Sequence, residues 1–192
     1  VIMPDGRTLQ VASVHHYRDQ WARAFDVTYE DTSGEQQYVH QTTYGMSERL
    51  LGAIVASHGD DRGLILPPAV APIQVIVIPI LSKEGSEEVM SKAEEIVSDL
   101  KSSGIRTKLD SRDIRPGQKY YDWEIKGVPL RIEIGPRDLA NNSVMCAKRT
   151  GEKTSQSLDG LVVTVQNQLE SIGDEMMSNS LEHFNSHIQK PP

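Results

Sequence analysis

Residues 74–80 read QVIVIPI, a run in which Val75, Ile76, Val77, Ile78 and Ile80 follow one another without an alternating polar position. A strand with one face in water alternates apolar and polar residues, so this run predicts a strand buried on both faces. It is preceded by LILPPAVAPIQ. Pro67, Pro68 and Pro72 cannot sit inside a continuing helix and push their preceding residues toward extended geometry, which makes this stretch a connector. The expected boundary falls at Ala71–Ile73, giving a first domain of residues 1–70 and a second of residues 71–192.

Beyond the connector, SEEVMSKAEEIVSDLKSSG places Val89, Ala93, Ile96, Val97 and Leu100 on one helical stripe, with acids near the start and Gly104 at the exit. IRTKLD then reads as a second strand, GQKYYDWEIKG as a shorter helix, PLRIEIG as an alternating strand and SVMCAKR as a fourth. A long helix from SLDGLVVTV to HI closes the pattern, with a break expected near Gly173. Strand, helix, strand, helix, strand, strand, helix describes a compact α/β domain with a mixed sheet. Upstream, RTLQVASVHHY reads as extended, QWARAF as a short helical turn, and FDVTYEDTSGEQQYVHQTTYG as a hairpin turning at Ser33-Gly34, followed by a helix over SERLLGAIVASHG. A hairpin and one helix make a poor core, so residues 1–70 are read as part of a larger domain that begins upstream.

The net charge is -7, unevenly spread. From Gly104 to Lys153 there are eleven Lys and Arg against seven acids, a local balance of +4, which leaves -11 for the rest. A basic segment inside an acidic chain fits either local phosphate binding or a solvated, charge-mixed surface. No apolar run approaches the roughly 20 residues needed to cross a bilayer, and VIMPDGRTLQ lacks the features of a secretion signal, so the expected location is cytoplasmic, with no membrane partner. Cys146 is the single cysteine. It excludes an internal disulfide and a multi-cysteine zinc site, and reads as a small buried apolar side chain. His183 and His187 are four apart on the last helix, but without a third ligand no metal site is expected.

Arg49, in TYGMSERLLGAIVASHGDDRG, opens an otherwise apolar helix. A fixed charge there calls for an anion, either a ligand or a neighbouring acid such as Glu48 or Asp60. This stretch, with MPDGRTLQ, the following LILPPAVAPIQVIVIPI and GQKYYDWEIKGVPLRIEIGPRDL, resembles the prolyl-tRNA synthetase family of class II aminoacyl-tRNA synthetases, in register from about Met3 to the final helix. The resemblance implies the end of an antiparallel-sheet catalytic domain, including motif 3, over residues 1–70, and an anticodon-binding domain with a C-terminal helix over residues 71–192. Motifs 1 and 2, with the homodimer interface and the arginine on the α-phosphate, are expected upstream.

The resemblance further implies that ATP, accompanied by Mg2+, and proline react to prolyl-adenylate and pyrophosphate. The terminal ribose hydroxyl of tRNA(Pro) then attacks the activated carbonyl. Arg49 would meet the γ-phosphate and stack on adenine, a role that suits a planar, permanently charged, weakly hydrated group. Gln10 and Ser13 would line the ATP site; His15 and Gly45 would border the proline site. Val11, Val14, His16, Tyr17 and Arg18 depart from the family pattern. Anticodon guanines would be read by Glu124, Arg131, Asp138 and Arg149, with Lys119, Lys148 and Lys153 near the backbone and Trp123 or a tyrosine available for stacking. Each has a plainer reading: Trp123 as core, Glu124 and Lys126 as solvated, Arg131 paired with Glu133. No protein nucleophile is required, because the chemistry rests on positioning and charge neutralisation. A related threonyl or glycyl synthetase, or a stand-alone tRNA-binding module, remain the alternatives.

Overall fold

The computed structural model describes residues 1–3, 5–81 and 86–188; Pro4 of the MPDGRTLQ motif lies outside them. It divides into two compact units, residues 1–57 and 58–192.

In the first unit, β1 (Ala12–Arg18) is followed by α1 (Gln20–Phe25), β2 (Thr28–Glu30), β3 (Gln36–Tyr38), β4 (Gln41–Met46) and α2 (Arg49–His58). β1 and β4 pair antiparallel, with Ser13 opposite Gly45 and His15 opposite Thr43. β2 and β3 form the hairpin expected around Ser33-Gly34. Its turn is held by the Asp31 carboxylate, which accepts from the backbone N–H groups of Ser33 at 2.9 Å and Glu35 at 3.1 Å. Among the described residues of this unit only Ala22 and Ala53 are buried, while Val14, Tyr44 and Met46 are mostly exposed. The unit has the thin core that its elements foretell.

The second unit is built on β5 (Val75–Pro79), α3 (Ser86–Ser102), β6 (Thr107–Leu109), α4 (Pro116–Ile125), β7 (Leu130–Ile134), α5 (Pro136–Ala140), β8 (Ser143–Lys148), β9 (Lys153–Ser157) and α6 (Leu161–Ser186). The sheet order is β6-β5-β7-β8-β9, with β5 parallel to β6 and β7 and the last two pairings antiparallel. This is the mixed sheet that the sequence predicts, extended by one strand. The added strand, β9, is polar and gives no apolar signal, with only Thr154 and Gln156 half-buried. The five-residue α5 was also not foreseen; it is started by Pro136 and by Asp138, whose carboxylate accepts from the Gly135 N–H at 2.9 Å. α6 runs unbroken through Gly173. A glycine inside a 26-residue helix costs only about 1 kcal/mol.

β5 is buried along its whole length. Val75 and Val77 face one layer, where α3 contributes the predicted stripe and α6 contributes Leu161, Val165, Leu169, Ile172 and Met176. Ile76 and Ile78 face the other, packed with Trp123 of α4 and Val128. Cys146 belongs to the first layer, where burial pushes its thiol up to about 12 and leaves it an apolar side chain. α4 covers the second face beside β5 and β6, so the register carries Arg131, Glu133, Ala147 and Lys153 onto the part of that face toward β9.

The segment leading out of α2 is stitched to the end of α4. Leu64 N–H donates to the Ile125 carbonyl at 3.0 Å and Leu66 N–H to the Gly127 carbonyl at 3.3 Å. Two glycines make this approach possible. A Cβ on Gly63 would stand 2.6 Å from Ile125 Cα, and one on Gly127 2.7 Å from Leu64 Cβ, with φ at +130° and +69°. Gly127→Ala is therefore expected to lower stability by about 2 kcal/mol or more, read as the urea midpoint. Gly117→Ala, in the first turn of α4 where a Cβ meets nothing within 4 Å, should leave the midpoint unchanged or slightly higher.

Candidate functional site

A cleft of about 220 Å3 opens on the second face of the sheet, floored by Ile76, Trp123 and Val128 and walled by charged residues from the segment after α2, the end of α4, β7 and the β8–β9 turn. Three of the four residues assigned to anticodon contact, Glu124, Arg131 and Arg149, line it together. Asp138 does not; its carboxylate is committed to the first turn of α5.

Arg149 is the most enclosed of these. Its side chain is 2% exposed, and its guanidinium donates from Nη1 and Nη2 to the two oxygens of Asp60 at 3.0 and 2.6 Å, and from Nε to the Glu124 carbonyl at 3.1 Å. The pair joins residues 89 apart in sequence. The Arg149 hydrogen bonds hold the Asp60 carboxyl far below its usual range. Beside it, Arg62 reaches Glu124 Oε1 at 2.8 Å and Asp60 at 3.5 Å, with more than half of its side chain in solvent. In the sequence Asp60 reads as one possible partner for Arg49 and Arg62 carries no signal; in the structure Asp60 pairs with Arg149 instead, and Arg62 lines the cleft. His58, the last residue of α2, is half-buried, and burial lowers its pKa, which favours the neutral ring.

Arg131 and Glu133 lie two apart on β7 and therefore on one face, with Nε to Oε1 at 2.9 Å. Glu133 also accepts from the Tyr120 hydroxyl at 3.0 Å and from Lys153 Nζ at 2.9 Å. Burial would raise its pKa, but the Lys153 and Arg131 hydrogen bonds outweigh it and keep the carboxyl below its ordinary value. Burial, reinforced by the Glu133 charge, pushes the Tyr120 phenol up, so it stays a hydrogen-bond donor. Arg131 also lies over the Tyr120 ring, 4.1 Å from its centroid.

Trp123 takes the core role. It is 6% exposed, and its Nε1 donates to Asp110 Oδ2 at 2.7 Å. Asp110 also receives Arg112 through Nε and Nη2, and Lys119 Nζ donates to its backbone carbonyl at 3.1 Å. The Arg112 and Trp123 bonds overcome the burial that would raise the Asp110 pKa and set it far below the usual range. Lys119 is itself buried. Lys148 bridges Glu152 at 2.7 Å and Glu175 of α6 at 2.9 Å, which pins the β8–β9 turn to the helix.

In the first unit, β1 and β4 bring Ser13 and Gly45 opposite one another, and a Cβ on Gly45 would lie 3.8 Å from Ser13 Oγ. Arg49 Nη1 donates to the Gln10 carbonyl at 3.3 Å, so these two are neighbours as well. His15 stacks on Tyr17 with ring centroids 5.4 Å apart, whereas the adjacent His16 lies near His40, on the opposite side of the strand. His183 and His187 stand 4.3 Å apart by ring centroid, and His187 Nδ1 lies 2.8 Å from the His183 carbonyl. Among the described residues no group of three His, Cys, Asp or Glu side chains comes together to hold a metal ion, and no helix is long and apolar enough to cross a membrane.

Removing the Asp60 charge leaves Arg149 buried without its counter-ion. Asp60→Asn should cost roughly 3 kcal/mol, the lower end for breaking a buried pair, because Asp60 keeps a third of its side chain in water. The carboxyl is depressed in the folded state, so its contribution is complete above the unfolded value of 3.8 and is lost as pH falls through the lower folded value. Urea midpoints between pH 7 and 2 should fall less steeply in Asp60→Asn than in the parent.

Residues 74–168 match the family model described as the anticodon binding domain. Along nearly its whole length the chain is similar to curated proline–tRNA ligases. It is 50% identical to that of Thermococcus kodakarensis over 191 residues, which is 99% of this chain and 40% of the relative. It is 47% identical to that of Methanocorpusculum labreanum over 188 residues (98% and 39%) and 48% identical to that of Methanosarcina mazei over 188 residues (97% and 39%). The chain thus spans about 40% of the length of the relatives it matches. The similarity runs through both units: the chain as a whole resembles a stretch of about 40% of the proline–tRNA ligases, and within it residues 74–168 match the anticodon binding domain.

Proposed function

We propose that this chain supplies motif 3 of the catalytic domain and the anticodon-binding domain of an enzyme that joins proline to tRNA(Pro). Residues 1–70 form the end of the antiparallel-sheet catalytic domain, and residues 71–192 form the anticodon-binding domain. The observation that carries the tRNA reading is the convergence of Glu124, Arg131 and Arg149, from three separate elements, on one cleft with an aromatic and aliphatic floor. A carboxylate there accepts from the N1 and N2 donors of guanine, and a guanidinium donates to O6 and N7. Glu124 and Arg131 are the direct readers. Arg149, tied to Asp60, holds the wall in place, and Asp138 acts at the neighbouring start of α5.

For the activation step, Arg49 takes the γ-phosphate of ATP and stacks on adenine, with Gln10 and Ser13 beside the nucleotide and His15 and Gly45 at the proline. The proximity of Arg49 to Gln10, and of Ser13 to Gly45, supports this grouping. Mg2+ enters with the ATP that it accompanies. Proline carboxylate attacks the α-phosphorus, pyrophosphate leaves, and the tRNA hydroxyl then displaces AMP from the activated carbonyl. The chain's own part is to hold charge and geometry rather than to form a covalent bond. The working enzyme is a homodimer in the cytoplasm.

The test uses the full-length protein. Arg49→Ala should lower proline-dependent ATP–pyrophosphate exchange by about 10²-fold or more while leaving tRNA affinity within a factor of two or so. Replacing both anticodon guanines should weaken binding of the tRNA(Pro) transcript by about tenfold or more in a filter assay. Activation of threonine or glycine in place of proline would favour a related synthetase, and absence of any exchange activity would favour a tRNA-binding module.

A further inference from the structure

Among the described residues four cations line the cleft, all of them paired, and three of them are also shielded from solvent. The side chains of Arg131, Lys148 and Arg149 are 22%, 12% and 2% exposed, and each is held by at least one carboxylate. Arg62 differs. Its side chain is 56% exposed, it stands at the rim, and its short contact is to Glu124 across the opening. Water screens the pair from the Arg62 side, which weakens it, while Glu124 keeps only a quarter of its side chain exposed. The pair is also an obstacle, since it occupies the carboxylate that the entering base needs.

We propose that Arg62 is a phosphate-binding residue of this cleft, which exchanges Glu124 for a backbone phosphate of the bound RNA strand and so frees Glu124 for the base. The inference rests on the anticodon reading above and adds a contact from outside residues 74–168, the part matched by the family model. Size supports it. The cleft, at about 220 Å3, is smaller than the roughly 300–1,000 Å3 that encloses a drug-sized ligand, so it takes a planar ring and not a whole nucleotide. A nucleotide that enters ring first leaves its phosphate at the mouth, where the exposed guanidinium stands. Charge supports it as well. A guanidinium that exchanges the Glu124 carboxylate for a phosphate keeps an anionic partner and can engage it through two parallel N–H donors. Asp60 lies 3.5 Å from Arg62 Nε and donates nothing itself, so its fixed position against Arg149 anchors the near side of the Arg62 fork during the exchange.

The experiment measures the affinity of the full-length protein for a proline anticodon stem-loop RNA and for the same RNA with both guanines replaced, from 50 to 300 mM KCl, as parent, Arg62→Ala and Arg62→Lys. Arg62→Ala should weaken both RNAs by the same factor, about tenfold, and reduce the slope of log K against log salt by about 0.7, the value for one phosphate on a single strand. Arg62→Lys should retain the parental slope. An unchanged slope in Arg62→Ala, whether or not affinity falls, overturns the proposal and leaves Arg62 a structural residue. Loss of discrimination between the two RNAs in Arg62→Ala also overturns it, by making Arg62 a base reader. If the parent itself fails to distinguish the two RNAs, the anticodon reading fails and the proposal falls with it.

Discussion

A guanidinium that is 2% exposed is tolerable only if its charge and donors are met, and in the second unit Arg149 meets them through Asp60 and the Glu124 carbonyl. Each partner belongs to a different stretch of chain: Asp60 to the segment leaving α2, Glu124 to the last turn of α4, and Arg149 to the end of β8. The bidentate geometry fixes direction as well as distance, which a point charge would not. The contacts between Leu64 and Ile125 and between Leu66 and Gly127 extend the same junction with backbone hydrogen bonds. A cleft wall made of three chain segments is thereby held by one interaction in its interior and two at its edge. The geometry of Glu124 and Arg62 at the opening depends on that junction.

The sheet face beyond α4 follows a similar logic. Glu133 is 8% exposed at its side chain and satisfies Arg131, Tyr120 and Lys153 at once. A buried carboxylate with three donors stays ionised and rigid, and it turns Arg131 along the sheet so that its plane also covers Tyr120. The price is that Arg131 is not a free cation. Any base that it reads must use the donors that Glu133 leaves, which favours a ligand of defined orientation over a loosely held phosphate.

The framework of the second unit was legible because burial leaves a period in the sequence. β5 shows an unbroken apolar run and α3 a stripe at Val89, Ala93, Ile96, Val97 and Leu100, and both are buried as their patterns require; β7 shows an alternation, yet its polar face is also covered, with Glu133 buried among its donors. β9 was not legible because its residues are polar on both faces. α5 carried a usable signal, Gly135-Pro136 followed by Asp138, but five residues are too few to show a period. Among the site residues, chemistry could be assigned from the family pattern, whereas partnership could not. Nothing local to CAKRTGEK tells that Arg149 faces inward, since the acid that turns it inward is 89 residues away. Separation in sequence likewise hid Arg62, whose neighbour Glu124 lies on another element. Trp123 was ambiguous for the opposite reason: an exposed platform and a core residue look alike until Asp110 is seen to accept from its indole.

The charge of the basic segment also changes meaning once its partners are known. Its +4 balance counts residues 104–153 alone, yet Arg149 is neutralised by Asp60 and Lys148 by Glu175, both from outside that range. Arg112 is shared between Asp110 and Asp122, and Arg131 and Lys153 share Glu133. Such a surface does not attract RNA simply as a field of free cations. These five cations are held in place by carboxylates, so they keep a fixed orientation before any ligand arrives and lose little conformational freedom on binding. An acidic chain of net charge -7 gains little from long-range steering toward a polyanion. Recognition by such a surface must therefore come at short range, from the few donors and acceptors that the ion pairs hold around the cleft.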